Sequence, residues 1–312
     1  MERSWDALRS WARAHLAGAG ISSAEADARW LTETASGCSG GEWLAIERSA
    51  PTPGALAHLE QMVDRRIAGE PLQYVLGSWS FRSLELMIDP RVLIPRPETE
   101  WVVEVALREA VSIGLTRGPS RRPIESGDVQ QSGAPHRVAD LGTGSGAIAL
   151  ALASELPRAQ VWATDAYEDA LAVARANGAG NGIGRVTYAL GDWYAALPLE
   201  LAGRLDLVVS NPPYIADDER TSLDREIVTH EPAHALFGGI DGLDALRRII
   251  ADAPRWLRPG GAIVVEHAPH QVEAVAGLAG RAGLTKLRTE PDLAGRPRAL
   301  VARRPSPVGG AS

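Results

Sequence analysis

Arg137-Val138-Ala139-Asp140-Leu141-Gly142-Thr143-Gly144-Ser145-Gly146 is the stretch whose reading decides the fold. Its first half, Arg137 to Leu141, is a short apolar run of strand character. Its second half is rich in glycine, and Ala147 to Glu155 then reads as a helix. Glycine between a strand and a helix permits a tight turn and close approach of a ligand to the backbone. No Gly-Lys-Ser/Thr follows, which argues against a phosphate-gripping loop. Alone, the loop is compatible with a plain tight turn or with a dinucleotide site.

Downstream, strands and helices alternate. Strands are predicted at 160–164, 186–190, 205–210 and 262–266, with helices at 167–177, 243–256 and 271–282. Two further strands, 284–289 and 298–302, close the series. Such alternation predicts an α/β, doubly wound and mostly parallel sheet.

Upstream, residues 1 to about 70 read as a small helical domain. Trp5, Leu8, Trp11, Ala12 and Leu16 recur at helical spacing, Ser22-Ser23 suits an N-cap, and a helix runs from about Gly54 to Ala68. The tryptophans there are expected in a core. Residues 71–97 read as a β-hairpin linker, because Leu84, Leu86 and Ile88 alternate with Glu85 and Met87 before Asp89-Pro90. A helix follows from about Glu98 to Ile113, beginning the domain assigned to 98–305. The Gly-, Pro- and Ser-rich segment 115–136 is expected to be a flexible loop, and 306–312 a disordered tail.

The 312 residues carry a net charge of −7, against a broad nucleic-acid footprint, which needs a basic face. Cys38 is the single cysteine, so an intrachain disulfide and a Cys-rich zinc site are excluded, and a cytoplasmic location is expected. Residues 1–16 mix Arg, Glu and Asp with apolar residues, unlike a secretion signal. No apolar run is long enough for a bilayer.

Two further strand ends sharpen the ligand. Asp165 stands where a carboxylate accepts from both hydroxyls of a ribose, although it also suits a helix cap. After the third strand, Asp192 offers an acceptor for an adenine amino group and Trp193 a ring to stack on the base; core packing is the alternative for Trp193. Together these features favour adenosine, without separating NAD from S-adenosyl-L-methionine.

Asn211-Pro212-Pro213-Tyr214 follows the apolar strand Leu205 to Ser210. Two prolines remove two N–H donors and stiffen the loop, leaving carbonyls free to face a ligand. The Asn211 side-chain oxygen is a second acceptor. Two acceptors hold both hydrogens of a planar NH2 group, raise electron density on a poorly nucleophilic nitrogen and orient it for in-line attack. Tyr214 can pack against the planar group. A rigid Asn-Pro turn is the weaker alternative.

At this point the sequence resembles the peptide chain release factor N5-glutamine methyltransferase family (PrmC/HemK). The likeness lies in Gly69 to Gly77, Phe81, Leu93-Ile94-Pro95-Arg96-Pro97-Glu98-Thr99-Glu100, the glycine loop, Asp165, Gly191-Asp192-Trp193 and Asn211 to Tyr214. Glu231-Pro232, Asp241-Gly242-Leu243, Glu266 and Asp292 to Arg296 also match. Asn-Pro-Pro-Tyr is shared with nucleic-acid amine methyltransferases; Pro97-Glu98-Thr99 is more specific and departs from the Ser-Pro-Ile typical of enzymes acting on a ribosomal-protein glutamine. The resemblance implies a Rossmann-like methyltransferase domain. It implies that Asp140, Gly142, Thr143, Gly144, Ser145, Gly146, Asp165, Asp192, Trp193 and Asn211 bind S-adenosyl-L-methionine, with S-adenosyl-L-homocysteine as product. It implies that Asn211, Pro212, Pro213 and Tyr214 act on the glutamine of a Gly-Gly-Gln tip, with Phe81 and Arg96 lining its channel. The helical domain would dock the release factor, and the protein would work as a monomer with no membrane and no stable nucleic-acid partner. Segment 116–136 is longer than the family's pattern, and Pro297 stands where an acidic residue is usual.

Other groups invite simpler readings. His267 and His270 near Glu266 lack a third ligand at suitable spacing, so no metal is expected. Glu231 beside His230 reads as a loop contact supporting the site rather than an acid–base pair. Glu98 and Glu100 suit the first turn of a helix. A non-catalytic binding protein would share the fold, but the intact glycine loop, Asp165 and Asn211 argue against it; the fold alone also admits a dehydrogenase.

Overall fold

A computed structural model describes residues 4–115 and 135–306. Most of the expected loop at 115–136 and nearly all of the expected tail at 306–312 lie outside the described residues. Two compact units divide the chain. One takes residues up to Trp79 together with Asp224–His230; the other takes Ser80–Leu223 and the residues from Glu231 onward.

The first unit begins with α1 (Trp5–Gly18), α2 (Ala24–Ser36), α3 (Gly40–Ile46), α4 (Pro53–Ile67) and α5 (Leu72–Leu76). The Ser4 hydroxyl accepts from the Ala7 amide at the start of α1. Thr52 does the same for Ala55 at α4, where Pro53 presets the backbone of the first turn. Ser23 stands at the N-cap of α2 without a side-chain capping bond. Trp5, Leu8, Ala12 and Leu16 form one buried stripe, packed with Leu31, Trp43, Leu59 and Met62. Trp5 meets Trp43 edge-on, with ring centroids 6.4 Å apart. Trp5 and Trp43 are therefore core residues, as expected. Trp30, in contrast, is 37% exposed and packs against Trp79. The short helices α3 and α5 were not anticipated, because seven and five residues give too little periodicity to read.

The hairpin comprises β1 (Ser78–Phe81) and β2 (Leu84–Met87). It is followed by α6 (Pro97–Ser112), β3 (His136–Leu141), α7 (Ala147–Glu155), β4 (Ala159–Asp165), α8 (Glu168–Gly180), β5 (Val186–Leu190) and β6 (Leu205–Ser210). Then come the short α9 (Arg225–His230) and α10 (Ala233–Leu236), α11 (Asp244–Trp256), β7 (Leu257–Glu266), α12 (Val272–Arg281), β8 (Thr285–Pro291) and β9 (Pro297–Arg303). β2 is fixed to α8 by two side-chain amides. Asn177 accepts from the Met87 amide at 2.6 Å and donates to its carbonyl at 3.1 Å. Asn181 does the same for Glu85, at 3.3 and 2.8 Å.

The main sheet has seven strands in the order β5-β4-β3-β6-β7-β9-β8. The first five are parallel, and β9 and β8 add antiparallel neighbours. This is the mostly parallel doubly wound sheet the alternation predicts. Every residue of β6 is buried, as a central parallel strand covered on both faces requires. On one face Ala139, Val208 and Ile263 pack with Leu246 and Ile249 of α11 and Val275 of α12. Helices α6 and α7 lie against the same central strands. Winding from β3 proceeds outward to β4 and β5, then returns past β3 to β6. The carboxyl ends of β3 and β6 thus lie side by side at the reversal of strand order, where ligands of such sheets bind.

Candidate active site

The loop after β3 is built around three left-handed glycines, Gly142, Gly144 and Gly146, with φ of +73°, +53° and +85°. The amides of Gly142 and Thr143 both donate to the Thr164 carbonyl at 2.9 Å. Beneath the loop Asp140 is fully buried and accepts from the Thr143 hydroxyl at 2.6 Å and the Ala149 amide at 3.0 Å. Burial pushes its carboxyl up to about 7, against the pull of those two bonds. Asp140 therefore ties the loop to the first turn of α7 and does not line the cavity above.

That cavity, of about 350 Å³, is lined by Gly142 to Ser145, Asp165, Asp192, Trp193, Thr99, Asn211 and Pro213, among others. Its size falls in the range of small-molecule sites. Asp165 ends β4, with one carboxylate oxygen accepting from the Gly144 amide at 2.9 Å and the other from the Tyr167 amide at 3.0 Å. An ionised carboxylate has about four acceptor sites, so two remain for a ligand. Burial raises the Asp165 carboxyl, against those backbone bonds. Asp192 pairs with Arg248 of α11. Trp193 adopts φ +50°, rare for a bulky residue. Its ring lies so close to Gly142 that a Cβ there would come within 2.9 Å of Cζ3. Across the cavity His234 stacks on Tyr167, centroids 3.6 Å apart, and burial pushes its imidazole down toward the neutral form. Aromatic walls and a buried carboxylate with two acceptor sites to spare suit an adenosine-bearing ligand.

At the end of β6 the Ser210 hydroxyl donates to the Leu141 carbonyl at 2.6 Å, tying the two strand ends together. Asn211 Nδ2 donates to Thr99 Oγ1 at 3.1 Å. Thr99 Oγ1 donates to Glu266 Oε2 at 2.9 Å, and the Tyr214 hydroxyl donates to Glu266 Oε1 at 3.0 Å. The Tyr214 carbonyl accepts from Gln271 Nε2 at 2.9 Å, and Ile215 exchanges backbone bonds with Leu236 and Gly238. The loop is thus braced from three sides. Arg96 and the Ile94 amide both donate to the buried Glu231 carboxylate.

A PrmC N-terminal domain profile matches residues 7–77, and a methyltransferase small domain profile matches 128–240. The release factor glutamine methyltransferase of Xylella fastidiosa strain 9a5c is 43% identical, covering 84% of this chain and 87% of its own. That of Cereibacter sphaeroides is 40% identical over 97% of this chain and 99% of its own.

The chain belongs to the release factor glutamine methyltransferase family.

Among solved structures, a methyltransferase from Pyrococcus furiosus shares the fold, with a TM-score of 0.50 at 15% identity, covering 81% of this chain and all of its own. Within the release factor glutamine methyltransferase framework, the N-terminal profile falls on α1 to α5. The small-domain profile spans β3 to β6, the part that carries the glycine loop, Asp165, Trp193 and Asn211. The structure gathers Gly142, Thr143, Gly144, Ser145, Asp165, Asp192, Trp193, Asn211 and Pro213 around one cavity. Asp140, Gly146, Pro212 and Tyr214 stand behind that wall, and Tyr214 is turned toward Glu266. Phe81 is 1% exposed within the core and does not line the cavity; Arg96 does not line it either and is engaged with Glu231. The Glu231 contact is the loop-supporting role expected of it. Glu98 and Glu100 occupy the first turn of α6. Sequence reading missed Thr99, Tyr167 and His234 as cavity residues. Thr99 stood inside the quoted Pro97-Glu98-Thr99 stretch and could have been found from it; a lone histidine after Pro232 carries no such signal.

Proposed function

We propose that this protein transfers the methyl group of S-adenosyl-L-methionine to the side-chain amide nitrogen, N5, of the glutamine in the Gly-Gly-Gln motif of peptide chain release factors, supporting translation termination. The observation that carries the reading is that Asp165, the glycine loop and Asn211-Pro212-Pro213 meet at one cavity beside the β3–β6 reversal. S-adenosyl-L-methionine supplies an electrophilic methyl on a sulfonium and leaves as S-adenosyl-L-homocysteine. Asp165 accepts from the ribose hydroxyls, while Trp193 and the Tyr167–His234 pair flank the base. Asn211 Oδ1 and a carbonyl of the proline pair accept the two hydrogens of the substrate amide. Those bonds orient the nitrogen and stabilise the positive charge that grows on it as the new N–C bond forms. The nitrogen then sheds one proton to solvent.

The same reading assigns the helical segment 1–70 to docking of the release factor, with 71–97 as linker and 98–305 as the catalytic domain. It takes the protein as a cytoplasmic monomer without a stable nucleic-acid partner, in keeping with a net charge of −7 and one cysteine. Among the described residues no helix is long and apolar enough to cross a membrane. The test is transfer of label from S-adenosyl-L-methionine to a purified bacterial release factor and to its Gln→Ala variant at the Gly-Gly-Gln tip. Label on the wild-type factor alone is expected. Label on neither, with cofactor binding intact, would redirect the reading to a ribosomal-protein glutamine or a nucleic-acid amine.

A further inference from the structure

Three side chains from three distant parts of the chain form a hydrogen-bond relay that ends at Asn211. Its direction follows from hydrogen counting. A threonine hydroxyl has one hydrogen to donate. At Thr99 that hydrogen goes to Glu266 Oε2, 2.9 Å away. An ionised carboxylate only accepts, and the second oxygen of Glu266 already accepts from the Tyr214 hydroxyl at 3.0 Å. Burial, and next the neighbouring Glu266 charge, push the Tyr214 phenol far above its ordinary range, so it keeps its proton. Having spent its hydrogen on Glu266, Thr99 can only accept from Asn211. The atom of Asn211 that faces it is therefore Nδ2, at 3.1 Å. Facing it with Oδ1 instead would set two acceptors against each other.

We propose that Thr99 and Glu266 are positioning residues that lock the Asn211 amide in one orientation, with Oδ1 presented to the substrate nitrogen. This rests on the proposed role of Asn211 as acceptor for the glutamine amide. Without the lock, the two orientations of an asparagine amide differ little in energy, and the flipped one offers Nδ2 hydrogens to the hydrogens of the substrate. Thr99 and Asn211 both line the cavity, whereas Glu266 is 1% exposed behind them. The carboxylate therefore acts through Thr99.

Protonation reverses the relay. Glu266 faces Thr99 and Glu98 from α6, Tyr214 from the loop after β6, and Arg298 from β9. Burial raises its carboxyl to about 7; the Thr99 and Tyr214 bonds and Arg298 pull downward, and Glu98 pushes up. Once protonated, Glu266 can donate to Thr99 Oγ1. Thr99 then turns its own hydrogen toward Asn211, which must answer with Oδ1. The amide flips, and the substrate meets a donor.

The test compares the wild type with Thr99→Val, Thr99→Ser and Glu266→Gln, using labelled S-adenosyl-L-methionine and a purified release factor. Thr99→Val, close in shape but without the hydroxyl, is expected to lower kcat by about 100-fold, the scale of a misplaced reacting group. Cofactor affinity should stay within about twofold, because Asp165, Trp193 and the glycine loop are untouched. Thr99→Ser should restore most of kcat. The wild-type kcat should fall on the acid side of about pH 7, and Glu266→Gln should lose that limb. Asp140 titrates in the same range, so Asp140→Asn serves as control and must keep the limb at saturating cofactor. A second readout needs no substrate. The Asn211 side-chain NH2 signals in the NMR spectrum, identified by their loss in Asn211→Asp, should shift with a midpoint near Glu266 titration, and not shift in Glu266→Gln. Wild-type kcat in Thr99→Val, equal impairment in Thr99→Ser, or Asn211 signals insensitive to pH would overturn the relay. Failure of the wild type to methylate the release factor, with the NMR titration as expected, would remove the substrate reading and leave the relay standing.

Discussion

The Gly142 backbone lies against the Trp193 ring so closely that a Cβ on Gly142 would sit 2.9 Å from Cζ3, closer than real Cβ atoms approach a neighbour. Both residues line the cavity, and both have positive φ. Gly142→Ala must strain a left-handed backbone, at about 1 kcal/mol, and must also displace the indole. We expect at least about a tenfold loss of S-adenosyl-L-methionine affinity by calorimetry, since moving the indole opens the base-flanking wall. Unchanged affinity would show that Trp193 does not flank the base.

Asp165 offers one carboxylate oxygen to the Gly144 amide and the other to the Tyr167 amide. Asp165→Asn turns one of those acceptors into a donor facing an N–H. A lost charge-assisted bond is worth roughly 1.5–3 kcal/mol, so cofactor affinity should drop about 10- to 100-fold. Equilibrium dialysis with labelled cofactor checks this, and a loss below about twofold would place the ribose elsewhere.

Asn211→Ala should lower kcat by about 100- to 1,000-fold, the usual cost of deleting an oriented group that stabilises developing charge. Cofactor binding should change little. Single-turnover kinetics separate the two quantities; a variant that turns over normally would remove Asn211 from the reaction.

Stability should depend on pH through the buried carboxyls. Glu266 and Asp140 are both raised by burial to about 7 in the folded protein. Between their ordinary range and about pH 7 the folded state holds protons that the unfolded chain has released. Their contribution is therefore full at the acid end of that window and is lost as pH rises through it, by on the order of 3 kcal/mol each. Glu70, held low by its bond to Arg65, and Asp89, held low by Arg91, act in the opposite sense at lower pH. Urea denaturation from about pH 5 to pH 7.5 should show a downward slope that Glu266→Gln and Asp140→Asn each flatten. An identical slope in both variants would refute the assignment.

Arg66 is 8% exposed and bonds Asp27 and Glu226, each at 2.7 Å, inside the helical unit. Removing one partner of a buried pair leaves a charge without compensation. Arg66→Ala should destabilise that unit by about 3–5 kcal/mol, read by proteolysis of α1 to α4 before the rest of the chain. Equal protection in the variant would count against it.

The sheet was legible because each of its central strands is an apolar run that stops at a chemically marked residue. Leu141 gives way to Gly142, Thr164 to Asp165 and Ser210 to Asn211, and strand-order reversal then sets those ends together without further information. Reading failed where partners are remote or elements short. The Thr99–Glu266 bond spans 167 positions, and nothing local to either residue announces it. Ser78 to Phe81 alternates Ser-Trp-Ser-Phe, but four residues are too few for a period to stand out. Phe81 and Arg96 were placed in a substrate channel by resemblance. The folded chain commits one to the core and the other to an ion pair with Glu231.

The amides of Asn177 and Asn181 copy a strand. Four residues of helix rise about 6 Å and two residues of strand about 6.8 Å, so Asn177 on α8 and Asn181 at its C-cap match backbone groups two apart on β2. Each returns one acceptor and one donor to a residue whose N–H and C=O point outward. A two-stranded ribbon ordinarily leaves such an edge as a template for a stray chain. Here it is already taken, so self-association by strand addition is closed off along β2, and replacing both asparagines would reopen it.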